Sequence, residues 1–166
     1  MAANNEEQSN EEIVQKEEDE LESLFDERDR IPLETHTHID TYLCGEIVKH
    51  TRGYVELELE TEKEMVLDEL GLIHGGFIFG AADFAAMAAV NERNVVLVAS
   101  ECQFLAPVKL GDEVLFKARV RHQEGRKRNV HVEAFVQDIK VFEGEFMTVI
   151  TEHHVLKLKL LNEEGN

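Results

Sequence analysis

The sequence has few basic residues and lacks a basic leader. It contains 17 lysines and arginines against 35 aspartates and glutamates, which gives a formal net charge of −18. Because proteins bind nucleic acid largely by neutralising phosphates, this balance predicts no nucleic-acid partner. No basic segment followed by an apolar one opens the chain, so we predict no secretory signal peptide.

Cysteines and long apolar runs are also scarce. Cys44 and Cys102 form no CxxC pair, which is typical of a reduced, cytoplasmic protein. The longest apolar run, residues 71–86, is short for a membrane span and is interrupted by Asp83 and by glycines. We therefore predict a cytoplasmic protein without a membrane partner.

Half of the negative charge lies at the N-terminus. Residues 1–30 hold twelve acids and three bases, a net charge of −9. The residues Ser9-Asn10-Glu11-Glu12 fit a capping box, and Pro32 would end the helix that follows. We predict an acidic arm over residues 1–32, which is either a docking helix or a solvated tail that is partly helical or disordered. One domain over residues 33–166 follows.

Alternating residues and turns predict a mainly antiparallel sheet. Residues 37–50 and 54–62 read as two strands joined at a turn, and residues 76–91 as a helix. Four strand-like segments follow the helix: 94–105, 113–123, 129–138 and 140–156. The order β–β–α–β–β–β–β predicts an α+β fold, with one helix packed on one curved sheet.

The predicted helix is rich in alanine and holds one carboxylate, Asp83. Its alanines allow a close approach to a sheet that curls around it: Ala81, Ala82, Ala85, Ala86, Ala88 and Ala89. An ionised aspartate in such surroundings costs several kcal/mol unless partners offset the desolvation. Asp83 could point to solvent, but its neighbours Ala82 and Phe84 favour a buried or cleft-lining carboxylate. Such a group, with a raised pKa, is a candidate general base or nucleophile.

Two glycines, Gly75 and Gly76, begin the helix, where N–H groups are free and the dipole is positive. Without side chains in the way, a substrate carbonyl can approach these amides as in an oxyanion hole. Gly75 and Asp83 are roughly 12 Å apart along a helix, whereas catalytic groups must lie within about 3–3.5 Å of one carbonyl. We therefore predict a homo-oligomer, at least a dimer, whose antiparallel helices form two equivalent sites across a two-fold axis.

The motif His74-Gly75-Gly76, with Asp83 downstream, resembles the signature of hotdog-fold acyl-CoA thioesterases, in particular the phenylacetyl-CoA thioesterase-like branch. The segment CQFLAPVKLGDEV, residues 102–114, is similar as well, and the resemblance covers Thr41 to Leu156. It implies a hotdog domain, a long helix wrapped by an antiparallel sheet. It also implies dimers joined edge to edge, often paired into tetramers. Asp83 would act on an acyl-CoA as nucleophile or general base, and the Gly75 N–H of the other subunit would hold the oxyanion.

Two more positions near the motif are candidates for the catalytic site. The family often has an asparagine six residues before the histidine of the motif, to position the attacking water or the carbonyl, and here that position is Asp68. An aspartate lacks the amide donor, and a second carboxylate near Asp83 would raise one of the two pKa values. For His74 we favour a structural hydrogen bond to the loop over a general-base role. Gly76 is expected to contact the substrate.

The segments IKVFEGEF and CGEIV are similar to the effector domain of the malonyl-CoA-sensing repressors of bacterial lipid synthesis. That domain binds acyl-CoA without hydrolysing it and lacks the helix aspartate, whereas this chain keeps Asp83 and has an acidic arm. Hotdog dehydratases use a histidine and an acid with a longer, proline-containing gap, which is missing here. We therefore predict an acyl-CoA thioesterase, with a non-catalytic acyl-CoA-binding or sensor protein as the alternative.

Seven bases lie between residues 109 and 128, a notable cluster in an acidic chain. Lys109, Arg126 and Arg128 are candidates to hold the CoA phosphates, because arginine binds phosphate oxygens in pairs. A solvated turn is an equal alternative for the two arginines. The spacing of Lys117, Arg119 and Arg121 is typical of a solvated strand face.

The histidines do not suggest a metal site. His36 and His38 could share a strand face, and His153 and His154 could join them, but nothing in the spacing brings three or four ligands together as zinc requires. We predict no metal and no cofactor, with the CoA thioester as substrate or ligand.

Overall fold

The computed structural model describes residues 30–158, so the acidic arm predicted over residues 1–32 lies almost entirely outside the described residues. The strands are β1 (Glu46–Thr51), β2 (Tyr54–Glu60), β3 (Val95–Phe104), β4 (Glu113–Glu124), β5 (Lys127–Val136) and β6 (Ile139–Ile150). The helices are α1 (Thr41–Cys44) and α2 (Gly75–Val90), with short 3-10 turns at Lys63–Met65 and Val155–Lys157. Within the described range, every helix is too short or too polar to cross a bilayer.

The six strands form one sheet in the order β1-β2-β4-β5-β6-β3, and all neighbours are antiparallel. The strands β1 and β3 therefore lie at the two edges. This is the α+β architecture predicted for the hotdog fold, with one long helix and one sheet. The predicted order of the elements is confirmed, apart from the additional short helix α1.

One face of the sheet is a continuous apolar layer. Leu57 pairs with Phe116, Phe116 with Ala134, and Ala134 with Phe142, and all four side chains are fully buried. Helix α2 packs on this face through the six alanines named above, each of which is buried. The prediction that small side chains let the helix approach the sheet closely is confirmed.

The first predicted strand is wrong over its N-terminal half. The Asp40 side chain accepts a hydrogen bond from the Tyr42 amide, 2.9 Å away, and this cap starts α1. Gly45 then adopts φ +90°, where a side chain is unfavourable, and β1 begins only at Glu46. A local hydrogen bond from an aspartate thus overrides weak β alternation. The last strand likewise ends at Ile150 rather than at residue 156.

Candidate active site

The first turn of α2 presents free backbone amides. Within residues 30–158, neither the Gly75 nor the Gly76 N–H has a hydrogen-bond acceptor. The preceding loop is fixed, because the His74 amide donates to Met65 O (2.9 Å) and the Ile73 amide to Val108 O (2.8 Å). The two glycine amides are therefore held in place and can bind an incoming oxyanion.

At both glycine positions, close neighbours leave little room for a side chain. A Cβ at Gly75 would lie 3.1 Å from Cε1 of Phe104, and one at Gly76 would lie 2.9 Å from Nε2 of His74. The exposed His74 ring also meets Phe77 edge-on, with 6.2 Å between the ring centroids. The hydrogen bond to the loop that was predicted for His74 is made by its backbone amide, and the ring serves as a packing surface.

Asp83 lies two turns further along α2 and is only partly accessible. Its Oδ1 atom is buried and has no hydrogen-bond partner among the described residues. Burial raises the pKa of Asp83 to about 6. This partial burial and the direction of the pKa change agree with the predicted buried or cleft-lining carboxylate. A carboxylate with this pKa is ionised at neutral pH and is a better proton acceptor than an ordinary aspartate.

Helix α1 brings Cys44 into the electrostatic range of Asp83. The pKa of the Cys44 thiol is raised, first by burial and then by the charges of Asp40 and Asp83. Neither this neighbour nor Phe104, which covers Gly75, was singled out from the sequence. Their proximity depends on how α1 and β3 pack against α2, and no local motif records it.

Asp68 does not act on Asp83 within one chain. Its Oδ1 accepts hydrogen bonds from the amides of Leu70 (3.0 Å) and Leu72 (3.1 Å), so it closes the exposed loop before α2. Burial alone accounts for the raised pKa of Asp83. Within one chain, Asp68 is therefore not a cause of the raised pKa of Asp83, and its carboxylate orders the loop that leads to Gly75.

The candidate phosphate-binding residues do not meet in one chain. Lys109 forms a β-bridge with Leu72, near the glycine end of α2 and the end of β3. Arg126 lies near the start of β3, because its carbonyl accepts a hydrogen bond from the Ile150 amide and Ile150 pairs with Val95. The ten residues of β3 span about 30 Å. Arg126 also pairs with Glu152. One chain therefore does not bring all three predicted cations to one ligand.

Arg128 is held by its own hairpin. Its Nη1 donates to Gly125 O (2.7 Å) and Lys127 O (2.9 Å). Lys117, Arg119 and Arg121 follow a face of β4 that is exposed, as predicted, and Arg119 lies 4.5 Å from the ring centroid of Tyr54.

The outer face of the sheet carries a charged cluster that the sequence analysis missed. Of the described residues, only His131, Glu133 and Glu143 are arranged so that they could hold a metal ion. The Lys140 ammonium already lies 2.5 Å from Glu133 and 3.6 Å from Glu143, so the cluster is an ion network as it stands. The cross-strand register was the missing signal, because Glu133 pairs with Glu143 and His131 with Glu145. The group does not include His36, His38, His153 or His154.

Comparison with known proteins supports the fold. The family model for the thioesterase superfamily matches residues 70–143. An uncharacterized protein from Pyrococcus horikoshii has a similar structure, with a TM-score of 0.75 and 44% identity over 76% of this chain and 98% of that one. A protein of Streptococcus mutans UA159 bound to acetyl CoA has a TM-score of 0.63 and 25% identity over 72% of this chain and 99% of that one.

Two curated relatives are longer than the region they share with this chain. The chain is 52% identical over 117 residues to the methylthioribose-1-phosphate isomerase of Aquifex aeolicus, which is 70% of this chain but 26% of the isomerase. It is 29% identical over 118 residues to the transcription factor FapR of Thermoanaerobacter sp. (strain X514), 70% of this chain and 59% of FapR. The fold and the matched family model agree: the chain has the hotdog fold, and its residues 70–143 match the thioesterase superfamily.

Proposed function

We propose that this protein is an acyl-CoA thioesterase. The observation that carries the proposal is Asp83, a partly buried carboxylate with a pKa raised to about 6, on the same helix as the Gly75 and Gly76 amides. Among the described residues, its Oδ1 atom and both glycine amides have no hydrogen-bond partner. The similarity to a structure that contains acetyl CoA supports a CoA ester as the ligand. The isomerase relative shares only 26% of its length with this chain, so we do not propose isomerase activity.

In the proposed reaction, Asp83 accepts a proton from water as the water oxygen attacks the thioester carbon. The carbonyl electrons move to oxygen, and the Gly75 N–H of the other subunit stabilises the resulting oxyanion. The intermediate then re-forms the carbonyl and breaks the C–S bond, and the thiolate takes the proton from Asp83. The products are a carboxylic acid and free CoA, and no cofactor takes part.

The dimer follows from the distance between the two groups on α2. Eight residues separate Gly75 from Asp83, roughly 12 Å along the helix. The edge strand β3 offers a pairing surface: it is ten residues long, and Val98 on it is 59% exposed. Antiparallel pairing of two β3 edges would carry Arg126 and Arg128 of one chain toward Gly75 and Lys109 of the other. These cations would then be able to hold the CoA phosphates from both chains.

Thiol release from a panel of acyl-CoA esters tests the proposal. Wild type should release CoA, and Asp83→Asn should lower the rate by about 10²–10⁴-fold, the usual contribution of a general base. The matched control Glu133→Gln, on the opposite face of the sheet, should stay close to wild type. Equal rates for wild type and Asp83→Asn would remove Asp83 from the mechanism. If Asp83 instead attacks the ester itself, the thiolate leaves and a mixed anhydride forms. One turnover in ¹⁸O water then leaves the label in the Asp83 carboxylate when water opens the anhydride at the aspartyl carbon.

A mixing experiment tests the shared site. Asp83→Asn and Gly75→Val are each expected to be inactive, but a heterodimer of the two has one site with both native residues. Re-forming dimers from an equal mixture should restore about a quarter of the wild-type activity. No restoration on mixing, or an active monomer by sedimentation at micromolar concentration, would contradict the interface site.

A second candidate function is a non-catalytic acyl-CoA sensor, and the similarity to FapR favours it. In that case no ester of the panel would be hydrolysed, while CoA esters would still bind tightly.

A further inference from the structure

An apolar cleft of about 420 Å³ opens beside Gly75. Its walls come from the loop before α2, the first turn of α2 and the chain that follows β3. The lining side chains are apolar, and the largest are Leu67, Leu72, Ile73, Ile78, Phe104 and Leu105. This volume is within the range of small-ligand sites in proteins.

The cleft is apolar at its rim as well as inside. Leu67 is 53% exposed and Phe104 is 56% exposed, although large apolar side chains are normally withdrawn from water. No charged side chain of the described residues lines the cleft. The nearest candidate cation along the chain, Lys109, follows Val108 but is not part of the lining. A carboxylate placed here would lose its hydration without gaining a counter-ion, at a cost of several kcal/mol.

Several backbone amides of the cleft wall already donate hydrogen bonds within the chain. The amide of Leu67 donates to Leu72 O, that of Ile73 to Val108 O, and that of Leu105 to Val141 O. The pantetheine arm of CoA contains two amides and a hydroxyl group, each of which would need hydrogen-bond partners, and these three wall amides are already engaged. A hydrocarbon group needs none. Of the two branches attached to a thioester carbonyl at Gly75, the acyl branch is therefore the one that the cleft fits.

We propose that this cleft binds the acyl group of the thioester and selects acyl groups that are apolar and uncharged, against dicarboxylic ones of the malonyl or succinyl type. This inference rests on the proposed function, because it takes Gly75 as the position of the thioester carbonyl. It sets the chain apart from the malonyl-CoA-sensing relatives that the sequence resembles.

The test compares kcat/KM of the wild-type protein for hexanoyl-CoA, malonyl-CoA and succinyl-CoA. We expect kcat/KM for hexanoyl-CoA to be at least about 100-fold higher than for the other two esters, since the cleft supplies no counter-ion for their carboxylates. Leu67→Arg places a cation at the exposed rim and should lower kcat/KM for hexanoyl-CoA about tenfold or more. It should also reduce the preference for hexanoyl-CoA over malonyl-CoA and succinyl-CoA. Leu156→Arg, at an exposed position after β6, is the matched control and should change neither value.

The outcomes separate this inference from the proposed function. Comparable kcat/KM for malonyl-CoA or succinyl-CoA would overturn the inference while leaving the thioesterase assignment intact. If Leu67→Arg leaves the kcat/KM values for the three esters unchanged, the acyl group does not bind in this cleft. If no ester is hydrolysed, the proposed function fails, and calorimetric binding of the same three esters decides the inference. Tighter binding of hexanoyl-CoA than of the other two would support it, and equal binding would overturn it.

Discussion

Asp83 on the helix side of the sheet and Glu133 on the outer face are both partly buried carboxylates, yet their surroundings differ. Lys140 lies 2.5 Å from Glu133, and its hydrogen bond lowers the pKa of that carboxyl group. Asp83 has no such partner between residues 30 and 158, and burial raises its pKa to about 6. The outer face thus compensates its charges, whereas the helix side leaves one carboxylate uncompensated and able to take up a proton.

The same contrast extends to whole layers. The helix side consists of apolar side chains in register across four strands, and Asp83 stands out there. The outer face carries His131, 8% exposed, with Glu145 at 2.5 Å from its Nδ1 and Glu143 at 3.2 Å from its Nε2. Stability on one side therefore comes mainly from packing, and on the other from pairing that solvent weakens.

The largest expected effect is the loss of an aromatic ring from the helix side. Phe146 is fully buried and packs against Phe79, with 5.5 Å between the ring centroids. Phe146→Ala should lower the free energy of unfolding by about 3–5 kcal/mol, because the cavity adds to the lost transfer energy. The matched change on the outer face, Phe135→Ala, removes a half-buried ring and should cost about 1 kcal/mol. Chemical denaturation measures both, and equal losses would contradict the contrast.

The next effect concerns the pH dependence of stability. The Asp83 carboxyl group ionises at about 6 in the folded chain and near 4 when unfolded, so the folded state holds the proton between these values. Stability from this group is therefore present below about pH 4 and is lost as pH rises through about 6, a change of roughly 3 kcal/mol. Asp83→Asn should lack this loss and be more stable than wild type at pH 7.

Urea denaturation of the two proteins at pH 4, 5, 6 and 7 isolates the Asp83 contribution, since all other groups are shared. Parallel curves for wild type and Asp83→Asn would show that the carboxyl group is not desolvated.

A smaller effect is expected in catalysis. If Asp83 acts as the base, kcat/KM should fall about tenfold for each pH unit below about 6, as the carboxylate becomes protonated. Thiol release by wild type over pH 4.5–8 measures this. The residual kcat/KM of Asp83→Asn should not fall in the same way below about pH 6. A rate that rises on acidification would require another base.

The smallest effect is expected from the outer ion network. Lys140→Met should return the pKa of Glu133 toward its ordinary value and lower the melting temperature at pH 7 by no more than about 2 °C. The stabilisation from a lowered pKa exists above the unfolded value and disappears as pH falls through the folded value. The difference should therefore shrink as the pH falls below the ordinary pKa of a glutamate. Lys157→Met, an exposed lysine outside the network, is the control. A large destabilisation would mean that the network is structural.

Most of the fold could be predicted from the sequence because its signals are local and repeated. Val55, Leu57 and Leu59 alternate with glutamates, and this period of two defines a strand with one dry face. The helix was predicted within one residue at each end, where glycines open it and Asn91 closes it in the left-handed conformation at φ 53°. The strand predicted for the segment before β1 was wrong, because a helix cap at Asp40 overrides a weak alternation of apolar and polar residues.

The sequence by itself determined the fold class, the apolar face of the sheet and the isolated carboxylate of Asp83, because periodicity and side-chain chemistry are local properties of the sequence. Only the tertiary structure decided which groups meet. It placed Phe104 against Gly75, tied Asp68 to its own loop, separated Lys109 from Arg126 by the length of β3, and brought His131 to three glutamates. These are contacts between distant residues, and they depend on strand register and packing, for which a single sequence carries no local signal.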